Sequence, residues 1–180
     1  MSPFDGHQNR NDPGWKNLDG EAQFAFTDSL LGRLRTEIAD PVERFERYRT
    51  LDVDGLPDIA RYAEMEQARL LRDDKRLGYT VGRYIVENYR SERLFHAITH
   101  PSRALLIRLL HDILAKIEID VEDVTALVLD YLEYFQVPVH PDVARILRLE
   151  WVTPDMRYIF HKREMLTWEE YFRRYIRIYG

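Results

Sequence analysis

Cysteine is absent from the 180 residues. Disulfides, thiolate nucleophiles and cysteine-based zinc sites are therefore excluded. No apolar run approaches the roughly 20 residues that span a bilayer, so no transmembrane segment is expected. Met1 to Asn11 is polar and has no apolar stretch of the kind a signal peptide carries, which makes the cytoplasm the expected address. Glycine and proline stand at only 8 each, which argues for helices over a many-turned β-fold. There is no GxSxG, no HExxH and no glycine-rich loop of the Walker or Rossmann type. Hydrophobic residues make up 45% and charged residues 32% of the chain, enough apolar material for a core and too much for general disorder. The length fits one domain or two very small ones. The formal charge of −5 is mildly acidic and argues against a general nucleic-acid binder.

The pattern along the chain predicts a mainly α fold: a helical domain of about seven helices with a small β-hairpin near the C-terminus. Residues 1–20 read as an irregular N-terminal segment and residues 21–180 as a single mostly helical domain. From Glu21 the helical period begins, with Leu30, Leu31, Leu34 and Ile38 on one face. Asp40, Pro41 and Glu43 start a second helix, with Val42, Phe45 and Tyr48 on one face of it. A longer helix is expected from about Asp58 to Lys75, with Ile59, Tyr62, Ala63, Glu66 and Leu70 sharing a face and Arg61, Arg69 and Arg72 turned outward. Val81, Tyr84, Ile85 and Tyr89 mark another. Pro101 is expected to open a helix apolar on most sides, from Ala104 to Ile117, the candidate for the central core helix. Asp120 caps a helix whose buried stripe is Val124, Leu127, Val128, Tyr131, Leu132 and Phe135. Pro141 opens a short helix through Leu149. Arg157 to Phe160 and Glu164 to Leu166 read as a hairpin turning near His161. Thr167 and Glu170 form a capping box for a last helix with a stripe of Trp168, Tyr171, Phe172, Tyr175, Ile176 and Tyr179.

The segment from Arg90 to Arg103 gathers Arg90, Arg93, His96, His100, Ser102 and Arg103 within fourteen residues. A helix that starts after this run presents unpaired backbone N–H groups, which attract phosphate-like anions. Guanidinium groups beside them add bidentate contacts. These six residues are the candidate cofactor- or substrate-binding set, and a phosphate-bearing small molecule is the expected ligand. Against that stands a plain structural role, in which His100 caps the helix and the arginines are solvated or paired with Glu87 and Glu92. His96 and His100 are four apart, but Pro101 argues against a continuous helix there, and no metal site is expected. His111 reads as a packed or partly exposed histidine on an apolar helix, and His140 as an N-cap-like loop residue. No catalytic residue can be named from the sequence.

The run Tyr89-Arg90-Ser91-Glu92-Arg93-Leu94-Phe95-His96-Ala97-Ile98-Thr99-His100-Pro101-Ser102 resembles WcbI-type polysaccharide-biosynthesis proteins. There an Arg-Leu-Phe segment leads into an Asn/Thr-His-Pro-Ser/Thr turn and an apolar helix. The Pro138-Val139-His140-Pro141 turn is similar too, as are Tyr158, Phe160, Thr167, Glu170, Tyr171 and Tyr175, so that the likeness runs from about Leu51 to Tyr179. The resemblance implies a capsule or cell-surface polysaccharide protein, an acetyltransferase that binds coenzyme A. It also implies an N-terminal α/β half with an Asn-Cys-Gln motif, which this cysteine-free chain does not carry. The chain therefore reads as the largely helical C-terminal part of such a protein, completed by an α/β partner chain or by a homo-oligomer. The alternative is a non-catalytic helical interaction module.

Overall fold

A computed structural model describes residues 5–8, 24, 26–119, 129–161 and 164–179. Among them are seven helices and three two-stranded antiparallel sheets. Strand β1 (Asp5–Gln8) pairs with β2 (Phe26–Asp28). Helices α1 (Ser29–Glu37), α2 (Pro41–Thr50), α3 (Ile59–Leu77) and α4 (Val81–Asn88) follow. Then come β3 (Phe95–Ala97), β4 (His100–Pro101), α5 (Arg103–Lys116) and α6 (Pro141–Leu147), and the chain closes with β5 (Arg157–Phe160), β6 (Glu164–Thr167) and α7 (Trp168–Tyr179). The mainly α expectation holds, and so does the hairpin near the C-terminus, with its turn at His161 (φ 53°).

Local chemistry accounts for most helix ends. Side chains of Asp28, Asp40, Asp58, Ser102 and His140 each accept a backbone N–H at the start of a helix, leaving fewer orphan donors there. Thr167 and Glu170 form the expected box: Thr167 N–H donates to Glu170 Oε2 at 2.8 Å, and Glu170 N–H to Thr167 Oγ1 at 3.2 Å. Between α1 and α2 the buried Arg44 donates to the carbonyls of Ile38 and Ala39, which holds the turn. Gly78 ends α3 in the left-handed region at φ 68°, where glycine carries no Cβ penalty.

The core is aromatic and centred on α7. Tyr171, Phe172, Tyr175 and Ile176 are buried there against Leu30, Leu31 and Leu34 of α1 and Phe45 and Tyr48 of α2. Phe24 is fully buried, its ring centroid 5.0–5.2 Å from those of Tyr171, Tyr175 and Phe160. Trp168 stacks on Tyr48 at 5.8 Å with the planes 2° apart. Edge and offset pairs of this kind add to the area buried.

Several expectations fail. The apolar α5 is not the central helix: only Leu105 is buried, and Ile113 and Ile117 are 40% and 57% exposed. Apolar residues on every side of a helix give no direction, and the large aromatics of α7 bury more surface per residue. Pro101 does not open α5; it lies in β4, and the helix begins at Arg103 behind its cap Ser102. The helix expected after Asp120 falls partly on residues 120–128, outside the described residues. Residues 131–134 form turns, Tyr131 is 72% exposed and Phe135 is buried. Here the backbone donors go elsewhere: Gln136 N–H to Ile159 O and Val137 N–H to His96 O, both at 2.8 Å. On α3 only Ile59 is buried and Tyr62 stands out in solvent, as does Val42 on α2.

Candidate functional site

Hairpin β3–β4, the start of α5, the loop 129–136 and hairpin β5–β6 together enclose a cleft of about 610 Å³, within the usual size of a small-molecule site. Four of the six residues singled out in the sequence line it: Arg93, His96, Ser102 and Arg103. The backbone explains the gathering. Ser102 N–H donates to Leu94 O at 2.9 Å, which folds the run back on itself, so that Arg93 and His96 lie beside the first turn of α5.

The start of α5 is already occupied by a carboxylate. Asp130 Oδ2 accepts the Arg103 N–H at 3.2 Å, as a negative group is expected to do at a helix N-terminus. The same carboxylate lies 3.0 Å (Oδ1) and 3.1 Å (Oδ2) from Nε2 of His96. His96 is buried, and its Nδ1 is buried without a hydrogen-bond partner. A neutral His96 that donates from Nε2 to this carboxylate carries its lone pair on Nδ1. Ser102 Oγ accepts the Leu105 N–H at 3.4 Å and serves as the N-cap.

Arg93 is anchored within the protein. Its Nη1 donates to Gln136 Oε1 at 2.8 Å and its Nε to Phe95 O at 3.3 Å. The guanidinium also lies over the rings of Tyr158 and Trp151, at 5.1 and 5.6 Å. Burial lowers its pKa to about 10, so it stays charged at neutral pH. Gln136 Oε1 accepts from Ile159 N–H as well, at 3.0 Å, and one amide oxygen thus joins Arg93 to β5.

Arg90 and His100 are not on the cleft. Arg90 is exposed, its guanidinium 5.2 Å over the ring of Tyr89. His100 faces inward, against Phe26 at 5.8 Å and Tyr134 at 5.6 Å, and burial holds its pKa below the ordinary 6.5. The helix cap expected of it belongs to Ser102.

The cleft is completed by residues that local sequence did not point to: Asp130, Glu133, Gln136 and Arg157. Asp130 is 34 residues from His96, and no motif links the two. Arg157 looks like an ordinary exposed strand residue. The lining holds three guanidinium groups (Arg93, Arg103, Arg157) against two carboxylates (Asp130, Glu133).

Fold and cleft together describe a mainly helical protein with a polar cleft of mixed charge at the base of one helix. The chain belongs to the WcbI family: the family model described as "Polysaccharide biosynthesis enzyme WcbI" matches residues 3–122, two thirds of the sequence. Its role is accordingly in polysaccharide biosynthesis. The matched stretch runs from the N-terminal segment through α5 and contains the Arg90–Ser102 run. The His140–Pro141 turn and the closing aromatic pattern lie beyond it. No curated protein and no solved structure is significantly similar to the chain.

Proposed function

We propose that the chain serves polysaccharide biosynthesis as an acyltransferase component, and that the cleft takes the phosphate-bearing acyl carrier, coenzyme A in the first instance. The observation that supports this is the gathering of Arg93, His96, Ser102 and Arg103 on one cleft at the start of α5. The ligand's phosphates meet the guanidinium groups of Arg103 and Arg157 there, and Arg93 holds the wall. A phosphate seated at the first turn of α5 takes over the Arg103 N–H from Asp130. The carboxylate and the ligand then compete for one position.

That competition gives the test. Calorimetry with coenzyme A should show micromolar binding, about −8 kcal/mol at 1 μM. Arg103→Ala should weaken it and Asp130→Asn should tighten it. Absence of binding, or a constant unchanged in both variants, removes this reading.

A second reading is a non-catalytic helical interaction module, either a homo-oligomer or a companion of an α/β partner chain. It is favoured by the apolar side chains that α3 and α5 leave in solvent, among them Tyr62, Met65, Ile113 and Ile117. Light scattering separates the two: a monomer at all concentrations that captures no companion protein counts against the module.

A further inference from the structure

On the other side of hairpin β5–β6 lies a second, larger depression of about 840 Å³, bounded by α6, the loop 148–154 and the first turn of α7. Alternation along β5 separates the two spaces. Arg157 and Ile159 face the cleft and Tyr158 faces the groove, while Met156 lines both. Val139, Pro141, Tyr158 and Thr167, all part of the family-like pattern in the sequence, line this groove.

The geometry points to this groove as the binding site for an uncharged saccharide chain, the acceptor in the proposed transfer; the inference rests on that reading. The argument is one of chemical complementarity. The floor is apolar, including Leu149 and the indole of Trp168, a surface suited to the C–H faces of sugar rings. The rim carries both signs: Arg49, Arg145 and Arg148 with Glu150 and Glu169. Arg49 is answered by Glu46, Arg145 by Asp142 and Glu169 by Arg173. Arg148 and Glu150 have no ion-pair partner among the described residues and face the same groove. An anionic ligand meets Glu150, and a cationic one meets Arg148. A neutral polyol suits both, because each hydroxyl donates to a carboxylate and accepts from a guanidinium. Met156 lines both spaces, so the groove borders the cleft assigned to the acyl carrier at that residue.

The test is an array of neutral hexasaccharides built from glucose, mannose, galactose or N-acetylglucosamine, with uronic-acid hexasaccharides beside them. At least one neutral member should bind, and the uronic-acid members should bind more weakly. Arg148→Ala and Glu150→Ala alter exposed side chains and should each weaken the binding about tenfold. Amide signals of residues 148–153 should move on titration while those around Arg103 stay put. Coenzyme A titrated into the same samples reports on the cleft alone, so its failure and that of the groove are read separately. No binding to any neutral member, a preference for uronic acids, or affinity unchanged in both variants overturns the assignment.

Discussion

The Tyr48 hydroxyl donates to Asp28 Oδ2 at 2.6 Å in the core, joining α2 to the cap of α1. Asp28 Oδ1 accepts the Leu31 N–H at 2.8 Å, and the Asp28 N–H donates to the Tyr175 hydroxyl of α7 at 3.2 Å. Three helices thus converge on Asp28, α1 and α2 on its buried carboxyl and α7 on its backbone N–H. Burial pushes its pKa from 3.8 up to about 6, although the hydrogen bonds from Tyr48 and Leu31 pull it down.

A raised carboxyl pKa means that the folded state holds the proton more tightly than the unfolded chain. The resulting stabilisation is complete below pH 3.8 and is lost as pH rises through about 6; its size is on the order of 3 kcal/mol. Asp28→Asn keeps an acceptor for Leu31 N–H and removes the titration. In denaturant melts from pH 8 to pH 4, the native protein should therefore gain stability relative to the variant as pH falls through 6. Parallel pH profiles would show that Asp28 does not titrate in this range.

His140 has the opposite sign. Its Nε2 lies 2.9 Å from Tyr48 O and its Nδ1 accepts the Asp142 N–H at 3.1 Å. The neutral tautomer with the proton on Nε2 satisfies both, and protonation of Nδ1 breaks the second. Burial lowers the pKa below 6.5, so this stabilisation is present above pH 6.5 and is lost as pH falls towards the lowered value. His140→Ala should cost about 2–4 kcal/mol at pH 8 through the cavity and the orphaned partners. The penalty should shrink towards pH 5, and a constant one across the range would contradict the assignment.

Gly82 lies where α4 crosses α3. A Cβ there would stand 2.7 Å from Leu70 O and 2.9 Å from the Asp74 carboxyl, which accepts the Gly82 N–H at 2.9 Å. Leu70 O is backbone and cannot yield without opening the helix pair, and the Asp74 carboxyl can move only by giving up the N–H donors of Gly82 and Arg83. Gly82→Ala should cost about 1–3 kcal/mol in a thermal melt. Gly32 has nothing within 4 Å of such a Cβ, and Gly32→Ala serves as the tolerant control.

Removing residues 168–180 takes out Tyr171, Phe172, Tyr175 and Ile176 together. At roughly 2 kcal/mol or more for each side chain, the loss rivals the roughly 5–15 kcal/mol that holds a typical domain together. The shortened chain should lack a cooperative melt. Thr167→Ala, which removes only one arm of the cap, should cost about 1 kcal/mol. A truncated chain that melts near the parent temperature would place the core elsewhere.

Much was legible locally. The caps at Asp40 and Thr167 and the stripe of α7 follow from spacing alone, because each depends on groups within one or two turns. The cleft was legible in half: the Arg90–Arg103 run supplied Arg93, His96, Ser102 and Arg103, and the other half comes from loop 129–136 and β5. Asp130 reaches His96 across 34 residues, and Gln136 reaches Arg93 across 43. Neither pair leaves a periodic trace.

What the sequence determined by itself is the helical class, most of the helix starts and the family to which the chain belongs, since propensity, capping and motif order are properties of short stretches. Only the tertiary structure decided which apolar helix is central, why Pro101 sits in a strand, and which carboxylate occupies the start of α5. Those outcomes depend on competition for the same buried space and the same backbone donors among segments far apart in the chain. α7 wins the core over α5 because its aromatics bury more surface, and Asp130 takes the helix start because the fold brings it there.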